Sequence, residues 1–398
     1  MNKNIREFYN VQGAIRWLAV RLELIGTGIS LVASICIVIA AKNSDLSPGL
    51  AGLSLTFAMS ITNLLGHTVR TFAELEAGMN SVERVLHYTR NIEQEAPYEY
   101  YPDGKVSAEK PNESFSICGS LLPKPWPSKG NIVMKNVQMR YRKDSPLVLK
   151  GVNINIEGGE RIGIVGRTGG GKSSLFLSLL RLVELDYDNY VLEAQADEPS
   201  IIIDGVNIRD VGLHTLRGSI SIVPQNPVIF SGTVRSNLDP YNEHTDAEIW
   251  NSIKLCNLES AMHELDAGLD STVAEGGENF SQGQRQLLSL SKALLNNCKI
   301  LMLDEATSSV DMETDSIIQE TIANAFKGCT ILTIAHRLQT VLDSDRILVM
   351  EDGKAGEFDT PEELLKNEDG LMYQMVHAYG KKTADRLIEG SRRNLNIA

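Results

Sequence analysis

The sequence predicts an α/β domain with a mainly parallel sheet, preceded by two α-helices long and apolar enough to cross a bilayer. Three observations predict it. From Asn131 onward, short β-like runs alternate with helical ones. A glycine-rich loop, Gly166-Arg167-Thr168-Gly169-Gly170-Gly171-Lys172-Ser173, joins a short apolar run to a helix-like one. Upstream, Leu24–Ala41 and Leu46–Val69 carry no formal charge.

The first 90 residues read as membrane-associated, with spans at about 22–41 and 46–69. Leu24–Ala41 is largely Ile, Leu, Val and Ala and is just long enough to cross the hydrocarbon core. Leu46–Val69 is more polar, with Ser, Thr, Asn63 and His67, and is read as a span because it pairs with the first. Lys42–Asp45 forms a charge-balanced turn between them. Arg16 and Arg21 flank the first span, and Arg70 and Arg84 follow the second, which places both ends on the cytoplasmic side. From Thr71 to about Arg90, the spacing of Phe72, Leu75, Met79, Val82 and Leu86 predicts an amphipathic helix leaving the membrane.

Residues 91–130 form a linker, in which Pro97, Pro102, Pro111, Pro123, Pro125 and Pro127 break regular structure. The α/β domain covers 131–378, and 379–398 is a tail. Strands are expected over Ile132–Arg140, Val152–Ile156, Arg161–Val165, Ile201–Ile203, Ser219–Val223, Ile300–Leu303, Thr330–Ala335 and Arg346–Glu351. Helices are expected over Lys172–Leu182, Asp246–Cys256, Ser281–Leu295, Met312–Phe326 and Pro361–Lys366. Val183–Ser200 is acidic and reads as a surface loop.

Two segments carry chemistry. The glycine-rich loop is a full G-x-x-x-x-G-K-[ST] match in a strand–loop–helix context, the P-loop pattern. Its glycines let backbone N–H groups curl around phosphate oxygens, and the following helix adds a favourable dipole. Lys172 would reach the β- and γ-phosphates, and the Ser173 hydroxyl would bind Mg²⁺. The second segment is the apolar run Ile300–Leu303, closed by Asp304 and Glu305. A strand ending in two carboxylates places one acid near Mg²⁺ and the other near the attacking water.

Together with Phe280-Ser281-Gln282-Gly283-Gln284, which matches a signature turn, these segments resemble the nucleotide-binding domain of ATP-binding cassette (ABC) proteins. The fold implied is therefore a P-loop NTPase domain of ABC type. Further family marks stand in the family's order: Tyr141 in MRYR, Gln225 in IVPQNP, Ser308-Ser309-Val310-Asp311, and His336 after ILTIA. LVLKGVNINIEGGERIGIVGRTGGGKSS, SGTVRSNLDP and AEGGENFSQGQRQLL are similar to the second nucleotide-binding domain of the multidrug-resistance-associated subfamily. RWLAVRLELIG and MNSVERVLHYT are similar to the end of that subfamily's second transmembrane domain.

The resemblance implies ATP and Mg²⁺ as ligands and assigns the roles. Tyr141 stacks on adenine. Main-chain amides of Gly169–Ser174 hold the phosphates with Lys172, within the loop opened by Gly166, Arg167 and Thr168. Ser173 and Gln225 complete the Mg²⁺ coordination, helped by Asp304 through water. Glu305 positions or deprotonates the attacking water, and His336 contacts the γ-phosphate. Ser281, Gly283, Gln284 and Asp311 act in trans, on ATP held by a second, non-identical nucleotide-binding domain.

Two departures from the family pattern matter. The signature reads FSQGQ where the family has LSGGQ, so the site it completes is expected to turn over slowly. The chain is also short for the subfamily, which has two sets of six helices and two ATPase domains. It reads as the C-terminal piece of a larger transporter or a truncated product, whose missing helices set an unknown small-molecule cargo.

Bulk properties agree. The net charge of −13 disfavours a nucleic-acid groove. Cys36, Cys118, Cys256, Cys298 and Cys329 show no metal or redox spacing, as in a cytosol-facing protein. The polar start with Lys3, Arg6 and Glu7 does not read as a signal peptide. Three readings stay open: an ATP-driven exporter, a nucleotide-sensing channel subunit, and a soluble ABC ATPase. A non-transporting ABC fragment is a further alternative.

Overall fold

The computed structural model of the chain describes residues 2–43, 47–92, 94–98, 125–187, 198–263, 265, 267–306, 310, 312–335 and 338–378. It divides into two units, 1–94 and 95–398.

The first unit is two long helices, α1 (Asn2–Asn43) and α2 (Pro48–Asn91). Ser47 caps α2 by accepting a hydrogen bond from the Leu50 N–H, and Pro48 sits in the first turn, where its missing donor costs nothing. Apolar side chains of α1, among them Ile25, Leu31, Val32, Ile35 and Val38, are exposed. Among the described residues, Phe8–Lys42 is the one stretch long and apolar enough to cross a membrane. From Pro48 onward the second expected span lies in α2 and falls short of that measure, while Leu46 is outside the described residues; the expected amphipathic helix from Thr71 continues α2 without a break. Hydroxyls along α2 bond back to the preceding turn: Thr56 to Gly52 O at 2.9 Å, Ser60 to Thr56 O at 2.9 Å, Thr68 to Leu64 O at 2.8 Å.

The second unit carries two main sheets. Strands β1 (Ile132–Met139), β2 (Leu149–Ile156), β4 (Ser200–Ile203) and β5 (Val206–Asn207) form an antiparallel sheet in the order β2-β1-β4-β5. Strands β3 (Arg161–Gly166), β6 (Ile220–Val223), β9 (Ile300–Asp304), β10 (Thr330–Ile334), β11 (Arg346–Glu351) and β12 (Lys354–Asp359) form the other, in the order β12-β11-β3-β10-β9-β6. All its pairings are parallel except the β11–β12 edge. β7 (Gly232–Thr233) and β8 (Thr272–Val273) pair antiparallel in a small two-stranded sheet. The expected mainly parallel sheet is the six-stranded one, and the four-stranded antiparallel sheet is an addition to it. In β1 buried and less buried positions tend to alternate, as suits a sheet with two unlike faces, whereas the middles of β3 and β9 are continuously buried.

The helices of this unit are α3 (Lys172–Leu179), α4 (Leu213–Ser219), α5 (Val234–Leu238), α6 (Asp246–Leu255), α7 (Glu259–His263), α8 (Gln282–Leu295), α9 (Met312–Ala325), α10 (Leu338–Leu342), α11 (Pro361–Lys366) and α12 (Leu371–Ala378). One core lies between the two sheets and α3, with Ile132, Leu149, Ile164, Leu175 and Ile201 buried. A second lies on the β6–β9 side, where α8 buries Leu287, Leu288 and Leu290; each such side chain contributes about 1.5–3 kcal/mol. The third packs α10, α11 and α12 on β11.

Expected boundaries shift by a few residues. Helix α3 stops at Leu179, because Arg181 adopts φ +49 and breaks the turn. The strand expected from Ser219 starts at Ile220, because Ser219 closes α4. Of the acidic loop, Leu185 bridges to Met139 and Asp186 pairs with Arg140; residues 188–197 lie outside the described residues, as do 99–124 and 379–398.

Both described ends of the linker bind the domain. The Leu213 and His214 N–H groups donate to Pro97 O and Tyr98 O, and Arg217 pairs with Glu95 at 3.0 Å. At the other end, the Asp204 carboxylate accepts the backbone N–H groups of Ser128, Lys129, Gly130 and Asn131 at 2.6–3.2 Å. Burial works against ionisation of Asp204, but these four donors outweigh it and hold its carboxyl below its usual range. A depressed carboxylate stabilises the fold above its unfolded pKa of about 4, and that contribution is lost as pH falls through the folded value. Asp204→Asn should therefore cost about 1–3 kcal/mol at neutral pH. In urea unfolding, the gap to wild type should narrow below about pH 4; a constant gap would refute the charge's role.

Candidate functional site

The carboxyl ends of β3, β9 and β6 lie along one edge of the parallel sheet, where ligands of such sheets collect. β3 runs into the glycine-rich loop. The loop wraps the backbone of β11: a Cβ on Gly166 would stand 2.2 Å from Met350 O, and one on Gly170 3.1 Å from the same oxygen. Gly169 and Gly171 have φ of +83° and +99°, which glycine alone adopts at little cost. The loop ends at the N-terminus of α3, so Lys172, Ser173 and Ser174 follow directly from the turn.

Lys172 is 7 % exposed. Its Nζ donates to Gly166 O at 2.8 Å and to Arg167 O at 3.2 Å, curling the side chain over its own loop. Burial pushes its pKa down, against the pull of the Glu305 and Asp304 carboxylates. These three expected site residues therefore share one electrostatic neighbourhood. Tyr141, in the bend after β1, is 53 % exposed, and its Oη is 2.9 Å from the Ser174 Oγ. The candidate stacking ring is thereby tethered to the first turn after the glycine-rich loop.

Asp304 is the last residue of β9, in register with Ile334 of β10. Glu305 follows with φ +50°, and its N–H donates to Ile334 O at 2.9 Å. A positive φ on a non-glycine residue turns the chain sharply and is retained where neighbours over-determine it. Gln225, just past β6, donates its Nε2 to Glu305 Oε2 at 2.8 Å. Three separate segments thus converge: Lys172, the Asp304–Glu305 pair, and Gln225.

Ser281 caps α8. Its Oγ accepts the Gln284 N–H at 3.1 Å, and the Gln284 Oε1 accepts the Ser281 N–H at 2.8 Å, a reciprocal capping box. These two residues thus shape their own helix terminus. Gly283 is buried, and a Cβ there would stand 2.3 Å from Thr314 Cγ2 of α9. Close helix contact alone therefore explains this glycine. His336 and Asp311 lie outside the described residues.

Sequence reasoning missed Gln286, which is 1 % exposed and bonds the backbone of Pro224 and Gln225. A signal was present: with Gly283, Leu287 and Leu290, Gln286 falls on one helix face, where a polar residue needs a reason. Met350 and Thr314 were also missed, since they act through a backbone carbonyl and a methyl group.

The ABC transporter family model matches residues 149–308. The chain is 46% identical over 381 residues to the metal resistance protein YCF1 of Saccharomyces cerevisiae, covering 96% of this chain and 23% of that protein. It is 44% identical over 401 residues to ABC transporter C family member 12 of Dictyostelium discoideum, covering 100% and 28%. It is 46% identical over 365 residues to ATP-binding cassette sub-family C member 2 of Mus musculus, covering 92% and 22%. The chain spans about a quarter of the length of these relatives.

Proposed function

Since the chain belongs to the ATP-binding cassette transporters, among relatives of the C subfamily, we propose that it binds and hydrolyses ATP to drive export across a membrane. The convergence of Lys172, Asp304, Glu305 and Gln225 at the carboxyl ends of β3, β9 and β6 carries this reading. Hydrolysis of a phosphoanhydride needs positioning and charge stabilisation, and this edge offers both.

The γ-phosphate would replace the two loop carbonyls as partner of the Lys172 ammonium. Amides of Gly169–Ser174 would hold the phosphate oxygens. Tyr141 would stack on adenine, its hydroxyl already tied to Ser174. Glu305 would accept the proton of the attacking water, with its carboxylate held by Gln225. His336 would contact the γ-phosphate, and Asp311 would face the partner domain.

Ser173, Gln225 and Asp304 would hold Mg²⁺. One hydroxyl, one amide and one carboxylate are hard oxygen donors but no closed cage, which suits an ion that keeps waters and takes substrate phosphates as ligands. When bound, the ion neutralises phosphate charge.

Ser281, Gly283 and Gln284 would close over ATP held by a second, non-identical nucleotide-binding domain. α1 and α2 would cross the bilayer, with the cassette cytoplasmic. The internally bonded hydroxyls of Thr56, Ser60 and Thr68 support the second span, because each O–H brings its own partner into lipid. The cargo is a small molecule selected by helices outside this chain.

One experiment tests the core of this reading. The full chain, extracted with detergent and resistant to carbonate wash, is expected to bind a fluorescent ATP analogue. Lys172→Ala should weaken that binding at least about tenfold, or about 1.4 kcal/mol. Equal binding by both proteins, or release into the carbonate wash, would sink it.

A further inference from the structure

Gln286 is buried in a helix face that otherwise packs Gly283, Leu287 and Leu290. A buried amide is costly unless its hydrogen bonds are made. Its Nε2 donates to Gln225 O at 2.8 Å and to Pro224 O at 3.3 Å, while its Oε1 has no partner among the described residues. Leucine or methionine would fill this space without an orphaned acceptor. The amide is therefore accounted for by its grip on two carbonyls just beyond the end of β6 at Val223.

That grip leads into the site. The same Gln225 whose carbonyl accepts from Gln286 donates its side chain to Glu305 Oε2 at 2.8 Å. An unbroken chain runs from α8, through the Gln286 amide and the Gln225 main chain, to the carboxylate beyond β9. Helix α8 is capped by Ser281 and carries Gln284 in its first turn, the residues that in the proposed reading would act in trans on the other ATP site.

We propose that Gln286 is a positioning residue that fixes the Pro224–Gln225 main chain, aims Gln225 at the Asp304–Glu305 end of β9, and makes that aim depend on the position of α8. The proposal rests on the ATP- and Mg²⁺-binding reading of this edge. Its consequence is mechanical coupling: closure of the α8 N-terminus on the partner's ATP moves the amide that places Gln225 in this chain's own site.

The test uses the full chain in lipid nanodiscs. ATP affinity is measured with Mg²⁺ and with EDTA, and hydrogen–deuterium exchange is followed over residues 220–230. Wild type is expected to bind ATP more tightly with Mg²⁺. Gln286→Met should keep its affinity in EDTA yet lose about tenfold of the Mg²⁺ gain, as expected when the support of a metal ligand is removed. It should also speed exchange in the segment after Val223. Gln225→Ala should lose the same gain, and adding Gln286→Met should remove no more.

An equal fall with and without Mg²⁺ would mark a merely structural residue and overturn the proposal, as would unchanged exchange. If Gln286→Met unfolds, Gln286→Leu is a second replacement that removes the donors; a retained Mg²⁺ gain in that variant overturns it equally. Wild type that binds no ATP would defeat the functional reading instead, while the exchange comparison would still decide whether Gln286 holds the loop.

Discussion

Glu305→Gln is expected to lower ATP hydrolysis about 100- to 10,000-fold while leaving ATP binding within about twofold, the range for loss of a positioned general base. The substitution keeps the side-chain shape and an oxygen that can accept from Gln225 Nε2. It also keeps the backbone, where φ +50° and the bond to Ile334 O aim the side chain. What disappears is the negative charge and the proton affinity. Hydrolysis is measured with the partner domain present, and binding by a fluorescent ATP analogue. Normal turnover would show that another group takes the proton. Weakened binding would show that the carboxylate shapes the ground state.

Gly166→Ala is expected to lower ATP affinity at least about tenfold and to cost about 1–3 kcal/mol of stability, the scale of an overpacked site. Gly166 has φ +151°, and its Cβ would stand 2.2 Å from Met350 O. That oxygen belongs to β11, which pairs in parallel with β3 and in antiparallel with β12, so it cannot retreat cheaply. Gly170 leans on the same oxygen, and the Gly353 N–H donates to Gly170 O at 3.2 Å. The added methyl group therefore displaces the loop as a unit. Isothermal titration with ATP and thermal unfolding check the two effects. Wild-type affinity in a stable variant would show that the loop tolerates the shift.

Much of this was legible in the sequence. The eight expected strands all form, because continuous or alternating apolar runs bounded by turns have few alternatives once buried. β5 and β12 were missed, although Asp204-Gly205 and Asp352-Gly353 sit at two-residue hairpin turns with positive φ at both positions. β12 is largely part-exposed and β5 is only two residues long, so neither shows a clear apolar run. The short helices α4, α5, α7 and α10 were missed for a similar reason. Pieces of five to seven residues hold their shape through packing and caps, such as Thr233 on α5, rather than through periodicity.

The sequence by itself set out the residues of the proposed site at the sheet edge. A phosphate cradle would need glycines before a lysine and a hydroxyl, and the proposed hydrolysis would need two carboxylates at a strand end; local order records both patterns. Tertiary structure alone decided how these pieces hold one another. Gln225 meets Glu305 across 80 residues, Gln286 holds Gln225 across 61, and Met350 dictates the glycine at 166. The partners in such contacts leave no local trace, even where a residue such as Gln286 stands out on its helix face, because hydrogen bonds and steric limits act between atoms close in space, whatever their distance along the chain.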